Sequence, residues 1–232
     1  MTSDLHKNST ENIRILHLPM LIGGNPQGIS AHFNEMGLNS ETWTFSTNPY
    51  GYQPDRILFK ETDSFLYREI KRLYALRYIF MFDVVFFNFG STLFQQVAPK
   101  NDQRSRHKKF FLSLYRIYAS VMQKLELTIL RFRGVVMLVQ YQGDDARQGD
   151  YVRDNFKINF IKHVEPDYYY PESDVLKRKQ IELLDKYCSR IYALNPDILN
   201  VLPSRSEFLP YCHVSLEKWK PELSTRRNYP LK

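Results

Sequence analysis

Two short stretches of this sequence combine residue types that could handle a polar substrate. The first is Tyr141-Gln142-Gly143-Asp144-Asp145-Ala146-Arg147-Gln148-Gly149-Asp150, which sets neighbouring carboxylates and an arginine directly after an apolar run. Asp144 and Asp145 can accept hydrogen bonds from sugar hydroxyls or act as bases, and Arg147 can hold either Asp145 or a phosphate. An Asx turn with a solvent-facing ion pair would use the same residues without chemistry. The second stretch holds Gly23, Gly24 and Gly28. Glycines between a strand and a helix let the backbone approach a phosphate, which the helix N-terminus then attracts. A turn that simply needs glycine angles explains them equally well, because their spacing is not G-x-G-x-x-G.

The elements that must position these loops follow a strand, turn, helix order. Ile13 to Leu18 is a run of strand length, and Ile29, Phe33 and Met36 then recur at helical spacing before Gly37, which is placed to end that helix. Glu41 to Ser46, Asp83 to Phe89, Gly134 to Gln140, Ser189 to Leu194 and Glu207 to Leu209 read as further strands. The third and fourth are apolar on both faces, as a parallel strand covered by helices on each side would be. Helices are expected from about Arg106 to Arg131, from Ser173 to Tyr187, and after Asn195-Pro196-Asp197, where Asn195 is a candidate N-cap. In the first of these, Phe110, Leu114, Ile117, Val121, Leu125 and Ile129 draw one stripe, which is expected to pack on the sheet. Six strands alternating with helices predict an α/β fold: a single Rossmann-like, doubly wound, mostly parallel sheet. Ligands bind such sheets beyond the carboxyl ends of the strands, where both candidate loops fall.

Composition narrows the classes. The 232 residues are 43% apolar and 15% aromatic, which suits a globular core and excludes a disordered or fibrous chain. Two cysteines, Cys188 and Cys212, are too few for a disulfide framework and point to a reducing compartment. Residues 1–12 are a polar leader with no secretory core, and the longest apolar run, Tyr78 to Phe89, is broken by Asp83 and falls short of the ~20 residues that cross a bilayer. A cytoplasmic protein is expected. The histidines have no ligand spacing, so no metal is expected, and there is no G-x-S-x-G elbow for a serine hydrolase. His17 reads as a satisfied core or rim residue. The Tyr168-Tyr169-Tyr170-Pro171 cluster reads as a surface turn, although tyrosines can also stack on a sugar ring.

Taken in order, Ile15-Leu16-His17 leading to Gly23-Gly24, then Gly143-Asp144-Asp145-Ala146-Arg147, then Tyr192 to Leu199 followed by Glu207 to Tyr211, resemble the N-terminal half of a GT-B fold glycosyltransferase. The likeness is to the large retaining group, family 4, and covers nearly the whole chain. It implies that residues 13–216 form the acceptor-side Rossmann-like domain, with 217–232 leading into a second, donor-binding domain whose remainder is absent from this sequence. The implied activity is transfer of a sugar from a nucleotide-sugar, as co-substrate, to a glycan or lipid-linked acceptor in polysaccharide or cell-envelope synthesis, with no other cofactor. Carried over by position, Gly23 and Gly24 would approach the donor phosphates. Asp145 and Asp144 would be the catalytic candidates, with Tyr141, Gln142, Gly143 and Arg147 binding substrate. Relatives often carry a histidine where Gln142 stands, so a role resting on imidazole does not transfer.

Charge is concentrated in one segment. Nine Lys/Arg between Lys100 and Arg133 face only Asp102 and Glu126, and the rest of the chain balances, giving the net +7. An ordinary solvated helix face, docking on an anionic membrane surface through Arg104, Arg106, Lys108, Lys109 and Arg116, and nucleic-acid binding all fit that patch. Nucleic acid ranks last, since no zinc-knuckle, KH or RRM signature is present. Docking would place the protein peripherally on the inner face of the cell membrane, with deep insertion ruled against by the stripe's expected role in covering the sheet. A non-catalytic α/β module that docks this helix on an anionic surface or partner is the competing reading of the whole chain.

Overall fold

The computed structural model describes residues 13–47, 50–94, 96, 106–165 and 168–211. The strands are β1 (Arg14–Leu18), β2 (Asn39–Thr44), β3 (Arg56–Ile57), β4 (Val84–Asn88), β5 (Val136–Tyr141), β6 (Arg190–Ala193) and β7 (Glu207–Phe208). The helices are α1 (Asn25–Glu35), α2 (Phe65–Ile79), α3 (Arg106–Phe132), α4 (Gly149–Asn155) and α5 (Pro171–Tyr187). All strands join one sheet in the order β3-β2-β1-β4-β5-β6-β7, and every pairing is parallel. The fold is therefore the expected Rossmann-like α/β sheet. Its winding reverses between β1 and β4, so all loops leaving carboxyl ends share one edge and those after β1 and β4 diverge there.

Registers show how the core forms. Leu18, Phe87, Val139 and Ile191 lie side by side across β1, β4, β5 and β6, with Leu16, Val85 and Met137 in a parallel row. These residues pack with Leu76 and Ile79 of α2, Leu127 and Leu130 of α3, and Ile181 and Leu184 of α5 in one core. Three long helices thus cover one face. The opposite face carries His17, Phe86, Leu138 and Asn88, and α1 is the helix that meets it: Phe33 stacks on His17, which stacks on Phe86.

Several expectations change. β3, α2 and α4 have no counterpart in the sequence reading. The strand at Gly134 to Gln140 is not covered on both sides, since Val136 is exposed and Leu138 half-buried. The apolar stripe of α3 does not cover the sheet: Phe110, Leu114, Ile117, Val121 and Leu125 are all exposed, and Ala119, Gln123, Glu126, Leu127 and Leu130 are buried instead. Asn195 does not cap a helix through its side chain. It precedes a 3-10 turn, Pro196–Val201, and its amide donates to the Gln142 carbonyl. Gly37 follows α1 at φ +84, the left-handed geometry expected of it. Cys188 is a core thiol, pushed up to about 12 by burial, whereas Cys212, the 1–12 leader and the 217–232 segment lie outside the described residues.

Candidate functional site

The candidate loops meet at the carboxyl edge of the sheet. β1 delivers Gly23 and Gly24 in left-handed conformations, at φ +68 and +71, and Asn25 then opens α1. Asn25 is buried and its amide donates to Gln140 Oε1 at 2.9 Å, which ties the first βα turn to the end of β5. A Cβ on Gly24 would lie 2.5 Å from the Tyr52 ring, and one on Gly23 would lie 3.6 Å from the Tyr211 hydroxyl. Both glycines are thus needed by backbone angle, and aromatic rings occupy the space in front of them.

The loop after β5 is organised from within. Asp145 is half-buried and accepts from the backbone N–H of Gln142 at 3.0 Å and of Gly143 at 2.6 Å. Burial pushes its pKa up to about 6, and the backbone donors hold it back from rising further. Arg147 does not pair with Asp145. Its Nε donates to Asp197 at 2.8 Å and its Nη1 to Asp144 at 3.3 Å. Burial works against the charge on Asp144, but the hydroxyls of Tyr168 and Tyr169 and the nearby Arg147 outweigh it, and the carboxyl is held below the usual range. The tyrosine cluster is therefore a wall of this loop as well as a turn. Tyr141 belongs to the core rather than to a binding surface: its ring is buried under Gly90, where an added Cβ would meet it at 2.5 Å. Gly143 contributes backbone, with Arg147 against its open side.

Two residues with no local sequence signal complete the edge. Lys177 of α5 donates to the Arg147 carbonyl at 2.6 Å, and burial depresses its pKa. Glu126 of α3 is fully buried and accepts from the N–H of Leu93 at 3.0 Å and of Phe94 at 3.2 Å, which pins the loop leaving β4. In that loop Phe89 adopts φ +57 and Gly90 φ +53. A left-handed Phe costs backbone energy and marks a segment held by its surroundings. Between this loop, Asp145, Lys177, Gln123 and Gln180 lies a cavity of about 250 Å³. A second cavity, of about 350 Å³, lies beside Arg147 and Asp197.

The α1 side of the edge is rich in unmet hydrogen-bonding capacity. Asn25 Oδ1, Gln140 Nε2 and both side-chain polar atoms of Gln142 are buried with no hydrogen-bond partner among the described residues. Leaving a buried polar group unpaired costs about 1–3 kcal/mol. His17 is core but not satisfied: both ring nitrogens lack hydrogen-bond partners among the described residues, and burial lowers its pKa to about 3, so it is a neutral ring.

Of the cationic candidates, Lys108 and Lys109 are exposed on α3 and Arg116 is half-buried there. Arg106 begins α3, its side chain lying outside the described residues, as does Arg104 entirely. No group of three or more His, Cys, Asp or Glu able to hold a metal occurs among the described residues, and none of their helices is long and apolar enough to cross a membrane.

No family model and no curated protein matches this chain. Among solved structures, UDP-N-acetylglucosamine 4-epimerase from Bacillus cereus is similar at 12% identity with a TM-score of 0.32, over 79% of this chain and 60% of that one. The chain spans about 60% of that structure's length, and a likeness at this level says nothing of substrate or reaction.

Proposed function

We propose that this chain is the acceptor-side domain of a GT-B type glycosyltransferase, which holds a glycan or lipid-linked acceptor at the carboxyl edge of the sheet for transfer from a nucleotide-sugar. The observation that supports this most is the spare hydrogen-bonding capacity of three buried carboxamides: Asn25 and Gln140, bonded to each other, leave Oδ1 and Nε2 unpartnered among the described residues, and Gln142 leaves both its side-chain polar atoms so. A carboxamide both donates and accepts, and so does a sugar hydroxyl, so a neutral polyhydroxylated ligand satisfies such a cluster better than an anion does. Asp145, which lines the cavity beside Lys177, is a poor candidate for a free base, because its oxygens are taken by loop amides, and it acts by holding the loop in shape. Asp144 is half-exposed, but its oxygens accept from Tyr168, Tyr169 and Arg147 and its carboxyl is held below the usual range, so it suits a hydrogen bond from a sugar hydroxyl better than removal of its proton.

Saturation-transfer NMR tests this reading, with the purified chain and a panel of mono- and disaccharides of glucose, galactose, mannose and N-acetylglucosamine. At least one sugar is expected to show transfer in the wild type and to lose it in Gln142→Ala. Silence across the panel, or a signal indifferent to that substitution, overturns the reading. The non-catalytic alternative is favoured by one observation, the commitment of Arg147 to Asp197 and Asp144. If Arg147→Ala lowers the melting temperature and leaves sugar binding intact, the loop is structural.

A further inference from the structure

The stripe that sequence assigns to the sheet lies on the outside of α3, and α2 sets a second apolar face beside it. Phe65, Leu66, Ile70 and Leu73 of α2, with Phe111 and Leu114 of α3, line a shared groove of about 860 Å³. Leu66 and Phe111 are each 68% exposed. All six of these large apolar side chains are exposed, and such side chains gathered on one surface rather than scattered singly mark an interaction site. The face is preformed rather than loose: Phe65 packs edge-on against Tyr115 at 5.1 Å, and beneath them Arg72 donates to the Tyr115 hydroxyl at 3.0 Å and pairs with Glu69.

Charge selects the occupant. Together α2 and α3 carry ten Lys/Arg against two carboxylates, Glu69 and Glu126, and both carboxylates are buried. The solvent side of these helices therefore presents apolar side chains and cations, with no carboxylate of their own. A second copy of the chain would bring like charge against like charge. A nucleic acid would meet the cations and leave the groove empty, since such interfaces are polar. An anionic lipid surface satisfies both halves, because aliphatic and aromatic side chains enter the acyl boundary and lysine stems reach back to the phosphates. We propose that the α2–α3 face docks on an anionic membrane leaflet, with Leu66, Ile70, Phe111 and Leu114 inserted and Lys108 and Lys109 on the headgroups. The inference does not depend on the sugar-transfer reading, and a protein that failed to bind any glycan would still be expected to bind vesicles.

Flotation of the purified chain with vesicles of phosphatidylcholine alone, and with vesicles also containing phosphatidylglycerol, is the test. The wild type should float with the anionic vesicles only. Leu66→Glu/Phe111→Glu should cut partitioning at least ~10-fold, by the loss of two inserted side chains, and Lys108→Glu/Lys109→Glu about as much. All four positions are exposed, so circular dichroism melts of the variants should match the wild type. Should one variant fail to fold, Phe111→Trp provides an independent readout, since the fluorescence it adds to the wild-type signal should be quenched by brominated acyl chains. Absence of wild-type flotation, flotation of Leu66→Glu/Phe111→Glu at wild-type level, or added fluorescence that the brominated chains leave unquenched in Phe111→Trp overturns the proposal. So does a wild-type dimer in light scattering that the apolar substitutions dissociate while vesicles bind neither form.

Discussion

Glu126 holds two backbone amides of the β4 loop from the middle of a helix, and that position sets a pH signature. Burial lifts its pKa to about 7, and Asp145 behaves similarly at about 6. A carboxyl that titrates higher in the folded chain than in the unfolded one binds its proton more tightly when folded. Its contribution is full below the unfolded value and is lost as pH rises through the folded one. His17 has the opposite sign: its folded value of about 3 lies below the unfolded value, so its contribution is present above about pH 6.5 and fades as pH falls. Glu126→Gln removes the titrating proton but also one of the two acceptors, so its melting temperature should fall furthest below wild type at about pH 5 and the deficit should shrink as pH rises to about 8. A difference that does not change across that range would remove Glu126 from the account. At this scale the loop from Tyr141 to Arg147 was legible because a turn rich in acids follows an apolar strand. Glu126 and Lys177 were not, since each sits inside a helix with nothing beside it in sequence to mark it.

Element by element, the strands were read more truly than the helices. A buried parallel strand such as Val84–Asn88 shows itself as an apolar run, but a helix on a sheet can carry two stripes at three-to-four spacing. In α3 the stripe at Phe110, Leu114, Ile117 and Val121 is the more hydrophobic, yet the one that meets the core runs through Ala119, Gln123, Leu127 and Leu130. The amide of Gln123, which donates to Gln180 at 2.7 Å, ties α3 to α5. Hydrophobicity alone chose the wrong side. α2 escaped notice for a related reason: its apolar residues are spread around the helix, half toward the core and half toward the groove. The short helix α4 is held by a residue from elsewhere, Asp174 of α5, whose carboxylate accepts from the N–H of Gly149 and Asp150 at 3.0 Å each. Asp174→Ala should leave both donors unpaired and destabilise the protein by about 1–3 kcal/mol, a loss measurable by urea denaturation. An unchanged midpoint would show that α4 does not need this cap.

Across the whole molecule the two faces of the sheet are unequal. Three long helices bury Leu18, Phe87, Val139 and Ile191 on one side, whereas α1 meets the other side over Asn25, Ile29 and Phe33. The alternation of strands and helices announced the layered fold, but a hydrophobic pattern does not record which face a crossover takes. α1 has few fully buried side chains, and the polar groups beneath it are unsatisfied. The free energy of opening should therefore differ between the two layers. Deuterium uptake followed by mass spectrometry should show the amides of α1 exchanging through a partial opening while those of β4, β5 and the C-terminal half of α3 stay protected until the chain unfolds globally. Uniform protection would contradict this. The thin layer includes the turn that borders the amide cluster, so whatever settles there would tighten a segment that otherwise breathes on its own, and slowed exchange in α1 would report its arrival.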